Sequence, residues 1–290
     1  MPPERQPAVI LTDTASDLPQ EVALRENVNL ITVPTLFKGE LVPSTKKLLE
    51  IMLTQKDEIK NDGNGILTTS APSPGDFIKT YKALPGKRII SIHIGSEYSG
   101  TYDSSLVATR ELSEKEDGYE IANFDTGTVS MAVGFLAIEA VKNSHKTNDE
   151  IVNLLVSMKD RIITVCTLNT LQFAQSGGRV VRFAGDILGV KPILNISRNR
   201  PRESLVTEKT RGRKKSVEKL IDIVKKQTPL EKVAIIHVDA EKEAEQLANE
   251  ITAFYEGDIV LTEAGAAIAR HGGPGVLGIC AIKEKPDKLT

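Results

Sequence analysis

Three short segments concentrate side chains that could bind or react. The first is Thr68-Thr69-Ser70-Ala71-Pro72-Ser73-Pro74. Its hydroxyls crowd in before a helix start marked by Ser73 as N-cap and Pro74 at the first helical position. Free backbone N–H groups at such a start favour an anion, and the hydroxyls add donors. A cap alone would need only one of them. The second is Gly95-Ser96-Glu97-Tyr98-Ser99-Gly100-Thr101-Tyr102, which follows the apolar run Arg88 to Ile94. A strand passing through a small-residue turn into a helix is where ligands bind on open parallel sheets. Gly100 would let a ligand approach the backbone; a capped tight turn is the plainer reading. Two such turns, each leaving a strand, could converge on one oxyanion.

The third is His271-Gly272-Gly273-Pro274-Gly275-Val276-Leu277-Gly278. Gly273 to Gly278 fits G-x-G-x-x-G, but a helix-like stretch precedes it and a strand follows, the reverse of the dinucleotide order. No nucleotide is expected there. His271 is either a structural histidine or a donor to a carboxylate or phosphate. A fourth segment is basic. Residues 198–215 hold Arg198, Arg200, Arg202, Lys209, Arg211, Arg213, Lys214 and Lys215 against Glu203 and Glu208, a net +6 in a chain whose formal total is −2. A nucleic-acid patch, a docking face for an acidic protein and a solvated hairpin all fit that pattern.

Other chemistries lack their motifs. The chain has no G-x-S-x-G elbow and no G-x-x-x-x-G-K-[ST] loop, and its four His and two Cys show no zinc spacing. Seven Phe, five Tyr and no Trp give little for stacking nucleobases and imply an aliphatic core. Cys166 and Cys280 each lie in apolar runs and are expected as buried free thiols.

The elements that must position these segments can be placed from periodicity and punctuation. Strands are expected at 8–11, 30–37, 88–94 and 120–124, with helices at 19–26 (Asp17 as cap), 46–55, 74–84, 101–112 and 128–142. This alternation predicts a mostly parallel sheet covered on both faces. A helix at 148–159 could bridge two domains. The second half has strand signals at 162–167, 191–196, 204–209, 233–238, 259–262 and 276–282, and helix signals at 168–175, 216–226 and 241–255. The runs flanking Arg198-Asn199-Arg200-Pro201 look like an antiparallel pair.

The chain's 290 residues, with 40% apolar and 26% charged, suit a globular protein of two domains divided near residue 160. The N-terminus lacks the order of a secretory signal, and the longest apolar run, Met131 to Val141, is too short to span a bilayer. A cytoplasmic protein is expected.

Taken together, these motifs resemble the DegV family, whose members include the fatty-acid-binding subunits of bacterial fatty acid kinase. Leu11-Thr12-Asp13-Thr14-Ala15-Ser16-Asp17-Leu18 is similar to its T-D-S-x-x-D-L start, and Thr69 to Pro74 to its T-S-Q-P-S-P. Ser99-Gly100-Thr101-Tyr102 matches S-G-T-Y. Ser176-Gly177-Gly178-Arg179 and Val190-Lys191-Pro192-Ile193-Leu194 match G-G-R and K-P-I-L. Arg211 to Lys215 resembles its basic segment, and His271 to Gly275 its H-x-G-P-G. The matches keep family order over nearly the whole chain. Ala71 stands where the family usually has Gln, Glu97-Tyr98 where a small or apolar pair is usual, and Asn199-Arg200-Pro201 where an acidic-glycine turn is common.

The resemblance implies an α/β fold of two domains. Residues 1–160 would form an N-terminal α/β domain with a mostly parallel sheet, and 161–290 a C-terminal α/β domain with a mixed or antiparallel sheet. One long-chain fatty acid would be the ligand, its carboxylate held by Thr69, Ser99 and His271, with Ser70, Gly100, Thr101, Gly272 and Gly273 supporting them. Arg179, Arg211, Arg213, Lys214 and Lys215 would dock an ATP-dependent kinase subunit that phosphorylates the carboxylate for phospholipid synthesis. The chain itself would have no catalytic residue, metal or cofactor, would not bind nucleic acid, and would touch a membrane at most transiently. Two other readings stay open: a stand-alone hydrolase using Ser99 or His271, and nucleic-acid binding through residues 198–215.

Overall fold

A computed structural model describes residues 6–61, 65–176, 190–197 and 205–285. The first half runs β1 (Val9–Asp13), a 3-10 turn (Thr14–Ser16), α1 (Gln20–Arg25), β2 (Val28–Ile31), β3 (Thr35–Phe37), β4 (Glu40–Leu41), α2 (Thr45–Thr54), α3 (Lys56–Asn61) and β5 (Leu67–Thr69). It continues with α4 (Pro74–Ala83), β6 (Arg88–His93), α5 (Thr101–Lys115), β7 (Glu120–Asp125), α6 (Met131–Lys142) and α7 (Asn148–Lys159). The second half runs β8 (Ile162–Thr167), α8 (Gln172–Ser176), β9 (Val190–Asn195), β10 (Val206–Arg211), α9 (Arg213–Lys225) and β11 (Leu230–Val238). It ends with α10 (Glu241–Ile251), β12 (Ile259–Glu263), α11 (Ala266–Gly272) and β13 (Val276–Lys283).

The first sheet is parallel throughout, in the order β2-β1-β6-β7. Strand β6 is buried along its whole length, as a central parallel strand must be when both faces are covered. Alternate residues serve opposite faces. Leu11 and Ile89 pack on Phe77 and Tyr81 of α4 and Leu112 of α5, whereas Ile10, Ile90 and Ile92 face α6. The second sheet is mixed, β10-β9-β8-β13-β11-β12, with only β11 and β12 parallel. One face of it is covered by α9 and α10. The other meets α6, so α6 lies between the two sheets. That is why Met131 to Ala137 are buried in succession: a helix apolar all round belongs in an interior. A third, antiparallel sheet, β4-β3-β5, sits beside them.

Local signals explain several starts. In α4 the Ser73 hydroxyl accepts from Asp76 N (3.2 Å) while the Asp76 carboxylate accepts from Ser73 N (2.9 Å). The Ser73 hydroxyl, which also donates to that carboxylate (2.7 Å), and Ser73 N hold the Asp76 carboxyl below its ordinary pKa. Thr147 and Glu150 form the same reciprocal pair at α7.

The structure departs from the sequence expectations in identifiable ways. The single strand expected over 30–37 is two strands in two different sheets. Pro34 lacks an N–H to give a ladder, and Val33 N has already left the β2–β1 pairing to donate to the Thr14 hydroxyl (2.9 Å). Asp17 does not cap α1, whose cap residue is Pro19; its carboxylate is used elsewhere. The helix expected over 168–175 is only α8, the one over 128–142 starts at Met131, and the one over 241–255 stops at Ile251. The helix expected from Ser216 starts at Arg213, which puts Arg213, Lys214 and Lys215 in its first turn. α7 makes its main contacts with α6 and β7, within the first half. Strands β9 and β10 are antiparallel as expected, but Arg198 to Pro201 lie outside the described residues. Among the described residues no helix is long and apolar enough to cross a membrane, and no cluster of three His, Cys, Asp or Glu could hold a metal ion.

Candidate functional site

Thr69 is the last residue of β5, paired with Thr35 of β3. His271 is in the last turn of α11. Their side chains meet: Thr69 Oγ1 and His271 Nε2 are 2.9 Å apart. That contact depends on α11, a helix of the second half, being docked on the first. At its C-terminal end the guanidinium of Arg270, itself 3% exposed, donates to Leu67 O (Nε, 2.6 Å) and to Phe173 O (Nη1, 3.2 Å). At its start, Gly265 N donates to the Asp17 carboxylate (2.8 Å) and the Thr45 hydroxyl donates to Ala264 O (3.0 Å).

The glycines after His271 have packing reasons. Gly273 and Gly275 have φ of +77° and +81°, which side-chain-bearing residues adopt only with strain. A Cβ on Gly273 would collide with the Phe173 ring, and one on Gly275 with the Asn169 amide. The G-x-G-x-x-G spacing therefore serves the close approach of this loop to α8 and to the segment before it.

Ser99 lies in the turn between β6 and α5. Gly95 makes that turn possible by closely approaching Gly127 and Thr128, where any Cβ would clash with backbone. Ser99 Oγ lies 2.8 Å from Thr101 Oγ1, and Thr101 N donates to Ser99 Oγ (3.3 Å). The turn abuts the Thr69–Pro74 segment, since a Cβ on Gly100 would stand 3.9 Å from Ala71 Cβ.

Thr69, Ser99, His271 and Gly272 line one cavity with Tyr98 and Cys166. The remaining wall is aliphatic and comes from both halves: Ala15, Ile94 and Val129 from the first, Leu168, Leu194 and Val276 among those from the second. The cavity measures about 120 Å³, on the order of ten times the room that one water needs. Ser70, Gly100, Thr101 and Gly273 do not line it: Thr101 and Gly273 are buried, Ser70 and Gly100 exposed. Ser70 N ties the segment to Pro34 O (3.0 Å). Gly100 has an ordinary φ of −72° and caps α5. Burial pushes the Cys166 and Cys280 thiols up to about 12, so neither supplies a thiolate nucleophile at neutral pH. A mainly aliphatic chamber with two hydroxyls and an imidazole can hold an apolar chain that ends in a hydrogen-bond-accepting head.

Two sets of polar residues escaped sequence reasoning. One is Arg270, whose buried charge bridges three parts of the fold. The other is Asp13, His93 and Ser91. Asp13 Oδ2 lies 3.0 Å from His93 Nδ1, and His93 Nε2 lies 2.6 Å from Ser91 Oγ. The order acid–imidazole–hydroxyl is that of a nucleophilic triad, but all three are fully buried and none lines the cavity. Asp13 also accepts from Ala15 N and Ile94 N (3.0 Å each), fixing two cavity-lining residues. An Asp closing an apolar strand and a His inside a buried strand were the available signals.

Of the basic residues, Arg211, Lys214 and Lys215 are exposed. Arg213 forms two bonds with Glu243 of α10, at 2.7 and 3.0 Å. Arg179, Arg198, Arg200 and Arg202 lie outside the described residues.

A family model described as an uncharacterised protein of the DegV family matches residues 7–284. Protein DegV of Bacillus subtilis is 30% identical over 288 residues, covering 93% of this chain and 97% of that one. The crystal structure of DegV from Bacillus subtilis, described as a fatty acid binding protein, has a TM-score of 0.79 at 27% identity and covers 97% of this chain and 100% of that chain. A Thermotoga maritima protein whose structure is described as revealing a fatty acid binding function has a TM-score of 0.79 at 25% identity, with the same coverage.

Proposed function

The chain belongs to the DegV family, and on that premise we propose that it binds one long-chain fatty acid and presents its carboxylate to an ATP-dependent kinase partner. The observation that carries this reading is the aliphatic cavity with Thr69, Ser99 and His271 on its wall. The two similar structures described as fatty acid binding support it. Burial of about fifteen methylenes at about 0.8 kcal/mol each contributes roughly 12 kcal/mol gross, before the costs of association. Hydrogen bonds to a charged head add about 1.5–3 kcal/mol each. The tail supplies most of the affinity, and the head sets position while adding to it. A carboxylate entering between Thr69 and His271 would accept from both in place of their mutual contact.

In this reading residues 1–160 and 161–290 act as two domains that share the ligand, with His271 reaching across from the second. The chain is a cytoplasmic carrier and not itself a catalyst. The partner transfers a phosphoryl group from ATP to a carboxylate oxygen, giving an acyl phosphate for phospholipid synthesis. Arg211, Lys214 and Lys215 form the docking face beside Arg213, which Glu243 holds; by family resemblance Arg179, outside the described residues, would serve the same partner. The purified protein, extracted with organic solvent and examined by mass spectrometry, should yield about one fatty acid per chain, bound from the host or after exchange with added palmitate. Finding none by either route would sink the reading.

A further inference from the structure

The carboxylate of Asp17 joins the turn that lines the cavity to the helix that ends in His271. Oδ1 accepts from Gly265 N, immediately before α11 (2.8 Å), and Oδ2 accepts from the Ser130 hydroxyl (2.5 Å). The Asp17 carbonyl accepts from the Thr262 hydroxyl of β12 (3.3 Å). Asp17 is 5% exposed and has φ +50°, closing the 3-10 turn whose Ala15 lines the cavity. The Thr45 hydroxyl holds the next carbonyl, Ala264 O, at 3.0 Å. Because α11 has only two turns, its start fixes where its end can lie, and its end carries the contact of His271 with Thr69.

We propose that Asp17 is a positioning residue for His271, setting α11 against the first half so that the imidazole stands at the head-group end of the cavity. The inference deepens the fatty-acid reading and rests on it. An ionised carboxylate can accept from Gly265 and Ser130 together. Once protonated, one oxygen becomes a donor and the hold on Gly265 weakens, since charge-assisted bonds are about twice as strong as neutral ones. Burial is the main influence on Asp17 and raises its pKa to about 7, with the two hydrogen bonds opposing. The groups facing it are Asp13 at the end of β1, which raises it further, Ser130 before α6, Thr262 and Gly265 around the start of α11, and the neutral thiol of Cys280 on β13. The tether is therefore set to loosen as pH falls through neutrality.

The test compares wild type, Asp17→Asn and Thr45→Val by two readouts across pH 6 to 8.5, with melting temperatures as the check of folding. One readout is the NMR signal of the His271 ring in the ligand-free protein; the other is affinity for palmitate. In wild type the ring signal should show, beyond any inflection common to both proteins, a further one near pH 7 that Asp17→Asn lacks, and palmitate affinity should fall about three- to tenfold on acidification. Asp17→Asn should lose that step, and this difference cancels the titrations of palmitate and of His271 itself. Thr45→Val should bind more weakly at every pH but keep the step. Identical pH profiles of the ring signal and of palmitate affinity in wild type and Asp17→Asn overturn the inference. If Asp17→Asn does not fold, a Thr45→Val ring signal identical to wild type overturns it equally, and a displaced one supports it. If the ring responds as expected but palmitate binds nowhere, the positioning role stands and the fatty-acid reading falls.

Discussion

His271 Nε2 and Thr69 Oγ1 lie 2.9 Å apart although 202 positions separate them in the chain. Neither residue is in a motif that specifies the other. The contact exists because α11 is fastened to the first half at both ends, by Asp17 and Thr45 at its start and by Arg270 at its finish. The Thr69–His271 end of the cavity is thus a product of tertiary docking, and it should respond to changes at the docking points as well as within the site.

Removing a head-group hydroxyl should weaken binding without unfolding the chain. Thr69→Ala and Ser99→Ala each delete one donor to a charged group, worth about 1.5–3 kcal/mol, so palmitate affinity should fall by about ten- to a hundredfold. Both residues are only half-buried, so melting temperatures should change little. Calorimetric titration checks this; unaltered affinity in either variant removes that residue from the head-group site.

Gly273→Ala tests the packing account of the glycine-rich loop. The substitution forces a side chain into a φ of +77° and drives a methyl group into the Phe173 ring. Strain and overpacking together should lower stability by about 2–4 kcal/mol in urea unfolding. A variant as stable as wild type would show that the loop relaxes freely and that the spacing has another cause.

The buried Asp17 gives stability a defined pH dependence. Burial raises its pKa to about 7 in the folded chain, against the ordinary 3.8 that the unfolded chain restores. The folded chain holds the extra proton between those limits, so the stabilising contribution is complete below about pH 4 and is lost as pH rises through 7. At about 1.36 kcal/mol per pH unit the interval corresponds to about 4 kcal/mol. Urea unfolding should therefore show Asp17→Asn gaining on wild type by up to that amount between pH 4 and 8. A constant difference across the range contradicts the assignment. Acidification would thus favour the fold while loosening the tether of α11.

The basic face separates two kinds of partner. Arg211, Lys214 and Lys215 are exposed, whereas Arg213 is committed to Glu243. Reversing the three exposed charges with Glu should reduce acyl-phosphate formation by the reconstituted kinase by about tenfold or more, with palmitate affinity unchanged. Steeply salt-dependent DNA binding that disappears in the same variant would instead favour the nucleic-acid reading.

Much of the fold was legible locally. Ser73-Pro74 marked a helix start through a cap that the structure contains, and the apolar run of 88–94 located the central strand. Pro34 was the missed signal for the break between β2 and β3, because a run of β-branched residues outweighed one absent N–H. Strand β5 has three residues, too few for periodicity. The site was legible only in pieces: Thr69, Ser99 and His271 each stood in a motif, but their convergence came from family resemblance. Arg270 and the Asp13–His93–Ser91 chain were invisible for a plainer reason. Their partners are backbone carbonyls and side chains brought close by sheet pairing, which no linear spacing records.

The central claim is that a fatty acid lies in this cavity with its carboxylate at Thr69, Ser99 and His271. A crystal structure with a fatty acid brominated at its terminal carbon tests it most directly, since anomalous scattering marks the tail and density marks the head. The carboxylate should lie within hydrogen-bond distance of Thr69 and His271, on the side of Ser99, with bromine deep among Leu168, Leu194 and the other aliphatic residues. A reversed ligand, or one bound outside the cavity, would contradict the account.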